Sequence, residues 1–224
     1  MGDNLNPVEQ IDQAFLYIAG FSFVLLLLIT ATMAYFVFRY RRSAHPVSAD
    51  IRGNWKLEFV WIVIPTIVAL SMFWVGWSSY TGLRNVPAGA LEIDVIGQKY
   101  AWLFVYPNEK EAVNEFVVPL GKPVKLNITS DDVLHSFFLP AYRIKVDAVG
   151  GMETFAWFMA DRLGEYDVHC AEYCGTGHAE MNAKLKIVDP PLYAAWLESD
   201  EDEDEEDEDE DEDEEDEDEE DESY

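Results

Sequence analysis

The sequence predicts a membrane-anchored all-β protein: a two-helix transmembrane hairpin, a β-sandwich or barrel, and a disordered acidic tail. Two uncharged stretches of 25 residues occupy the first third of the 224-residue chain. After Gly82 they give way to short segments in which apolar and polar residues alternate. From Asp200 to Glu222 every residue is Asp or Glu. Such stretches are long enough to cross a bilayer, alternation marks strands with one buried face, and a run of like charges without apolar residues cannot collapse.

Residues 1–13 form a short acidic segment (Asp3, Glu9, Asp12) ahead of the first span, 14–38. That acidic start argues against a cleaved secretory signal, whose leading region is basic. At about 1.5 Å per residue a 25-residue helix reaches roughly 37 Å, more than the ~30 Å hydrocarbon core. Aromatics near the ends of the spans (Phe15, Tyr17, Tyr35, Phe36; Trp61, Trp77, Tyr80) suit the two interfaces. Residues 39–58 form a basic loop carrying Arg39, Arg41, Arg42, Arg52 and Lys56, which the positive-inside bias places in the cytoplasm. The second span is 59–83, with Pro65 inside it, where a neighbouring helix can satisfy the freed carbonyl. Both termini then lie on the outer side of the cell (inner) membrane.

Residues 84–198 read as a β domain. Val124, Leu126 and Ile128 alternate with polar residues, as do Tyr166, Val168 and Cys170, and then Leu185 and Ile187. Turn signals separate them at Pro87-Ala88-Gly89, Pro107-Asn108, Gly121-Lys122-Pro123, Gly150-Gly151 and Leu163-Gly164. Pro190-Pro191 closes the last strand, and Leu192 to Glu198 suit one or two helical turns.

The tail, 199–224, dominates the formal charge of −29; without Glu198 and the 23 tail acids, 20 acids face 15 bases. Neither tail nor body offers the basic face that nucleic acid requires. Two readings of the tail stay open: an electrostatic lure for a basic partner, or a solubilising segment. Turnover with and without 199–224 at low ionic strength separates them, because only a lure loses rate on truncation there.

The chemistry concentrates in Cys170-Ala-Glu172-Tyr-Cys174-Gly-Thr-Gly-His178-Ala-Glu-Met181, with His135 lying 35 residues before the first cysteine. Thiolate, imidazole and thioether form the soft donor set that copper prefers. One Cys with His and Met suits a mononuclear site; two thiolates can bridge two metals, each taking one His, with Met181 and a backbone carbonyl in weak positions. Gly175 and Gly177 let the loop fold tightly. A Cys170–Cys174 disulfide or a zinc site accounts for neither the Met nor the distant His.

This motif, the His135-Ser-Phe-Phe-Leu-Pro140 stretch, and the hairpin followed by a β domain resemble subunit II of haem–copper cytochrome c oxidases over about residues 10–190. The resemblance implies a cupredoxin-like domain holding the binuclear copper centre called CuA. Its ligands would be His135, Cys170, the Glu172 backbone carbonyl, Cys174, His178 and Met181. The Glu172 carboxylate would serve a magnesium ion shared with subunit I. In the Gly53-Asn54-Trp55-Lys56-Leu57-Glu58 segment, Glu58 matches the acid at the mouth of a proton-conducting channel; a helix-start carboxylate favoured by the macrodipole is the simpler alternative. Tyr100, Trp102 and Asp132 match the region where the donor docks and electrons enter, although the family usually has Trp where Tyr100 stands. Trp102, with Tyr106, reads rather as a core residue, and Asp131-Asp132 reads equally as an ordinary turn. His169 and His45 are not expected to be ligands.

The implied function is that of the electron-accepting subunit of a respiratory oxidase. Cytochrome c, or a small copper protein, would donate, and haem in subunit I would receive. The rivals are a copper-free subunit II of a quinol oxidase, the copper relay of a nitrous oxide reductase, which lacks this hairpin, and a membrane-tethered copper chaperone. The intact donor set argues against the first.

Overall fold

The computed structural model describes residues 6–47, 50 and 53–199, so Asp3, Arg52 and the acidic tail beyond Ser199 lie outside the described residues. Helix α1 runs Pro7–Arg39 and helix α2 runs Trp55–Arg84. Each begins at an asparagine cap. Asn6 Oδ1 accepts from the Val8 N–H (3.2 Å), and Asn54 Oδ1 accepts from the N–H groups of Lys56 (3.1 Å) and Leu57 (3.4 Å). Pro7 follows its cap, where the missing N–H costs nothing. Both helices therefore outrun the uncharged stretches 14–38 and 59–83. A cap decides where a helix starts, whereas charge marks only how much of it the bilayer can cover.

The helices lie antiparallel. The Tyr17 hydroxyl meets Ser71 Oγ at 2.9 Å, and Ser79 Oγ donates to the Gln10 carbonyl at 3.3 Å. Their most apolar windows are 6% and 0% buried, which separates them from the core helices of a soluble domain. The first two turns of α1, polar and outside the uncharged stretch, dock on the β domain. Asn6 Nδ2 donates to Asp161 Oδ2 (2.7 Å), and Arg143 pairs with Asp12 (3.1 Å). At the end of α2 the Arg84 guanidinium sits 4.3 Å from the Phe155 ring centre. The start of α1 and the β domain thus share one end of the hairpin, and the connecting loop lies at the other.

The domain is a sandwich of two five-stranded mixed sheets, numbered along the chain. The first has the order β3 (Glu111–Val113), β2 (Ala101–Val105), β1 (Leu91–Gln98), β5 (Pro123–Ser130), β8 (Thr154–Met159). The second has the order β4 (Glu115–Pro119), β10 (Asn182–Val188), β9 (Gly164–Cys170), β6 (His135–Leu139), β7 (Ile144–Ala148). Pairs β1–β5 and β4–β10 are parallel and the rest antiparallel.

The alternation read from the sequence orients these strands. Val124, Leu126, Ile128, Val168 and Leu185 have no exposed surface. Tyr166 differs: it is only half-buried, because its hydroxyl reaches out to donate to the Arg162 carbonyl at 3.1 Å. Phe104 and Phe116, from opposite sheets, stack with centroids 4.3 Å apart and tie the layers together. Helix α3 spans Pro190–Glu198, longer than the turns expected from Leu192, since both prolines sit in its first turn, where no N–H donor is needed. It packs Trp196 against Tyr106 (5.0 Å between centroids).

Candidate metal centre

One end of the second sheet gathers the donors. Strand β6 begins at His135 and β9 ends at Cys170, and the antiparallel register sets Phe137 opposite Cys170. The loop that follows is tied down twice. The Cys170 N–H donates to the Met181 carbonyl (3.1 Å), closing its base, and the Ala171 N–H donates to the Ser136 carbonyl (2.9 Å), fixing it to β6.

Within this frame all six groups implied by the sequence converge. Cys170 Sγ and Cys174 Sγ stand 3.9 Å apart and unbonded. His135 Nδ1 is 3.8 Å from Cys170 Sγ, and His178 Nδ1 is 3.6 Å from Cys174 Sγ. Met181 Sδ lies 3.8 Å from Cys174 Sγ, and the Glu172 carbonyl oxygen 3.3 Å from Cys170 Sγ. The ligand atoms of His135, Cys170 and Cys174 all fall within 4.8 Å of one another. Each sulfur thus has its own imidazole, and the pair is flanked by one weak donor on either side.

His135 and Met181 are fully buried and the two cysteines nearly so. Burial, and then the neighbouring Cys170 sulfur, push the Cys174 thiol up to about 11. At neutral pH this thiol keeps its proton unless a cation stabilises the thiolate. Two buried sulfurs, two inward imidazole nitrogens, a thioether and a carbonyl suit soft metal ions and nothing harder.

Asp132 has a role that the sequence did not reveal. Its Oδ1 accepts from His135 Nε2 at 2.8 Å and its Oδ2 from the Lys99 N–H at 2.9 Å. Burial raises its carboxyl, but the bonds from His135 and from the Val133 and Lys99 N–H groups outweigh that and hold it below the usual range. The carboxylate fixes the proton of His135 on Nε2, which turns a lone pair on Nδ1 toward the sulfurs. It remains one-third exposed, so it still reaches the surface.

Tyr100 lies across the ligand loop, its hydroxyl 3.2 Å from Thr176 Oγ1. A Cβ on Gly177 would come within 2.6 Å of the Tyr100 ring, and Gly175 has φ +140° besides a similarly close approach. Space requires glycine at 177, and both space and backbone require it at 175. Gly177→Ala is expected to destabilise the domain by about 1–3 kcal/mol and to disturb the metal centre, measured by denaturant unfolding and metal content.

Trp102 takes the core place that was the alternative to its donor-docking role. It has no exposed surface, because its place on β2 points it inward with Phe104. Its ring packs edge-on against Phe137 (5.3 Å) and lies 6.0 Å from the His135 ring, a support beneath the ligand. The exposed aromatic beside the centre is instead Tyr173, 72% exposed and 5.8 Å from the His178 ring; its place between two ligands on one loop was the available signal.

The Glu172 side chain is exposed while its carbonyl faces the cluster. Glu58 occupies the first turn of α2, at the opposite end of the 30-residue helix from the β domain, roughly 40 Å along its axis from Arg84. His169 points outward to Asn182 Oδ1 (2.8 Å), and His45 lies beside Arg39 Nη1 (3.0 Å); neither joins the cluster.

Comparison with known proteins gives concordant results. Residues 104–188 match the family described as cytochrome c oxidase subunit II, periplasmic domain, and residues 4–78 match its transmembrane domain. The alternative cytochrome c oxidase subunit 2 of Bradyrhizobium diazoefficiens is 33% identical over 83% of this chain and 77% of its own length. The cytochrome c oxidase subunit 2 of Cereibacter sphaeroides is 26% identical over 81% and 74%. A crystal structure of the periplasmic domain of the Bradyrhizobium japonicum oxidase subunit II is 32% identical, with a TM-score of 0.49, covering 51% of this chain and 95% of that one.

Proposed function

This chain belongs to the cytochrome c oxidase subunit II family, and from that premise we propose that it is the electron-accepting subunit of its oxidase. It is a membrane-anchored subunit of a haem–copper oxidase complex, with two apolar helices and a cupredoxin-like domain of the periplasmic type. In the proposal that domain sits on the outer face of the cell membrane, cytochrome c or a small copper protein donates, and haem in subunit I receives.

The observation that carries the reading is the pair of sulfurs 3.9 Å apart, each with its own imidazole nitrogen within 3.8 Å. His135, Cys170, the Glu172 carbonyl, Cys174, His178 and Met181 would hold two copper ions. When bound, the pair would supply one-electron transfer without making or breaking bonds to a substrate. The residues provide what such transfer needs. The buried donors exclude water, and the ties from Cys170 and Ala171 to Met181 and Ser136 keep the loop from rearranging. Asp132 fixes the His135 tautomer, and Tyr100 covers the loop from the outer side.

Asp132 and Tyr100 would line the face that meets the donor. The exposed Glu172 carboxylate would hold magnesium together with subunit I, and Glu58 would stand at a proton-channel entrance on the cytoplasmic side. A copper-free structural subunit would have no need of six convergent donors.

Copper counting and electron paramagnetic resonance on the full chain in detergent test the reading. Two coppers per chain, with one unpaired electron shared by both nuclei, are expected. One copper with a mononuclear signal would overturn it. Asp132→Ala is expected to weaken copper binding about 10–100-fold, measured by chelator competition, with the fold intact by circular dichroism.

A further inference from the structure

A cavity of about 300 Å³ lies where the hairpin meets the domain, between the helix ends and the edge strands β7 and β8. Ile11, Tyr80 and Leu83 wall its helical side, and Arg84, Arg143 and Lys145 are among its lining residues. Arg143 is shared with Asp12, and Arg84 rests on Phe155, so the cluster keeps a net positive charge. Apart from Glu198 and the tail, acids outnumber bases by only 20 to 15, so three cations on one cavity are a local concentration. Trp157 also lines the cavity: it is 6% exposed, and its indole N–H is a buried donor with no acceptor among the described residues. Clustered cations lining one cavity mark a place for an anion.

We propose that this junction binds one anionic glycerophospholipid, its phosphate held by Arg84, Arg143 and Lys145 and its acyl chains laid along α1 and α2. The position favours a lipid over a free anion. The second uncharged stretch ends at Leu83, one residue before Arg84, so the cations sit at headgroup level. The walls formed by Ile11, Tyr80 and Leu83 lead directly onto the apolar surface of the hairpin. The lipid would seal the corner of the sandwich left open by its two edge strands and fix the domain relative to the membrane. None of these residues touches the proposed copper ligands, so the copper reading and the lipid reading fail separately.

Native mass spectrometry of the full chain in non-ionic detergent, delipidated and then offered phosphatidylglycerol, tests this. One phosphatidylglycerol per chain is expected to survive gas-phase activation that strips phosphatidylcholine. Arg84→Gln with Lys145→Gln is expected to weaken retention by tens-fold, at about fivefold per cation at the interface. Lys145→Glu, an exposed position that spares the fold, should lower retention more than Lys145→Gln; both variants are checked by circular dichroism and copper content. Equal retention of phosphatidylcholine, unchanged retention in the variants, or displacement by millimolar inorganic phosphate would each overturn the proposal. So would loss of the lipid when the chain is assembled with subunit I, which would show that a protein surface fills the cavity.

Discussion

On the proposed reading, Cys174→Ser is expected to reduce the copper content from two per chain to at most one and to slow electron transfer from a cytochrome c donor through the assembled oxidase by more than about a hundredfold. That exceeds the 10–100-fold typical of losing a residue that only supports a ligand. The Cys174 sulfur is the hub of the cluster, within 3.6 Å of His178 Nδ1, 3.8 Å of Met181 Sδ and 3.9 Å of Cys170 Sγ. Serine places a hard oxygen there that neither ionises at neutral pH nor bridges soft ions. The exchange is nearly isosteric, so the metal-free chain should change in stability by less than about 2 kcal/mol. Copper analysis, resonance spectra and stopped-flow oxidation of reduced cytochrome c read the effect. Two coppers with an undisturbed spectrum would show that the centre does not use this sulfur.

Phe137→Ala is expected to have the largest effect on the fold, about 3–5 kcal/mol, a large share of the ~5–15 kcal/mol that holds a domain together. The ring has no exposed surface and meets Trp102 edge-on at 5.3 Å, with Phe104 and Phe116 within 6.5 Å. A cavity there also loosens the pairing of Phe137 with Cys170, the register that carries His135 to the sulfurs. Urea unfolding followed by tryptophan fluorescence should show the lower midpoint, and copper affinity should fall with it. A shift in midpoint worth less than about 1 kcal/mol would mean that the neighbouring rings close the gap. Phe137 would then not be a keystone between sheet and site.

The candidate donors were legible because covalent spacing alone brings Cys170, Cys174, His178 and Met181 into one short loop, and because thiolate, imidazole and thioether together are the soft set that copper prefers. The spans were legible because segments outside a membrane rarely run for 25 residues without a charge. Strand faces followed from alternation, which Val124, Leu126 and Ile128 obey without exception. Helix ends were less clear. Asn6 and Asn54 cap α1 and α2 outside the apolar runs, and a cap is one hydrogen-bond geometry rather than a pattern.

The order of residues along the chain therefore set the kinds of atoms at the centre, the hairpin, and the end of it at which the domain lies. How His135 reaches sulfurs 35 residues away depends instead on packing, through the register of β6 on β9. Packing also buries Trp102 beneath the ligand rather than at a donor surface, and brings Asp132 to orient His135. It gathers Arg84, Arg143, Lys145 and Trp157 around one cavity at the membrane junction. The difference lies in the range of the forces involved. Composition, periodicity and spacing act between neighbours along the chain, whereas burial, tautomer choice and charge clustering depend on which distant segments pack side by side.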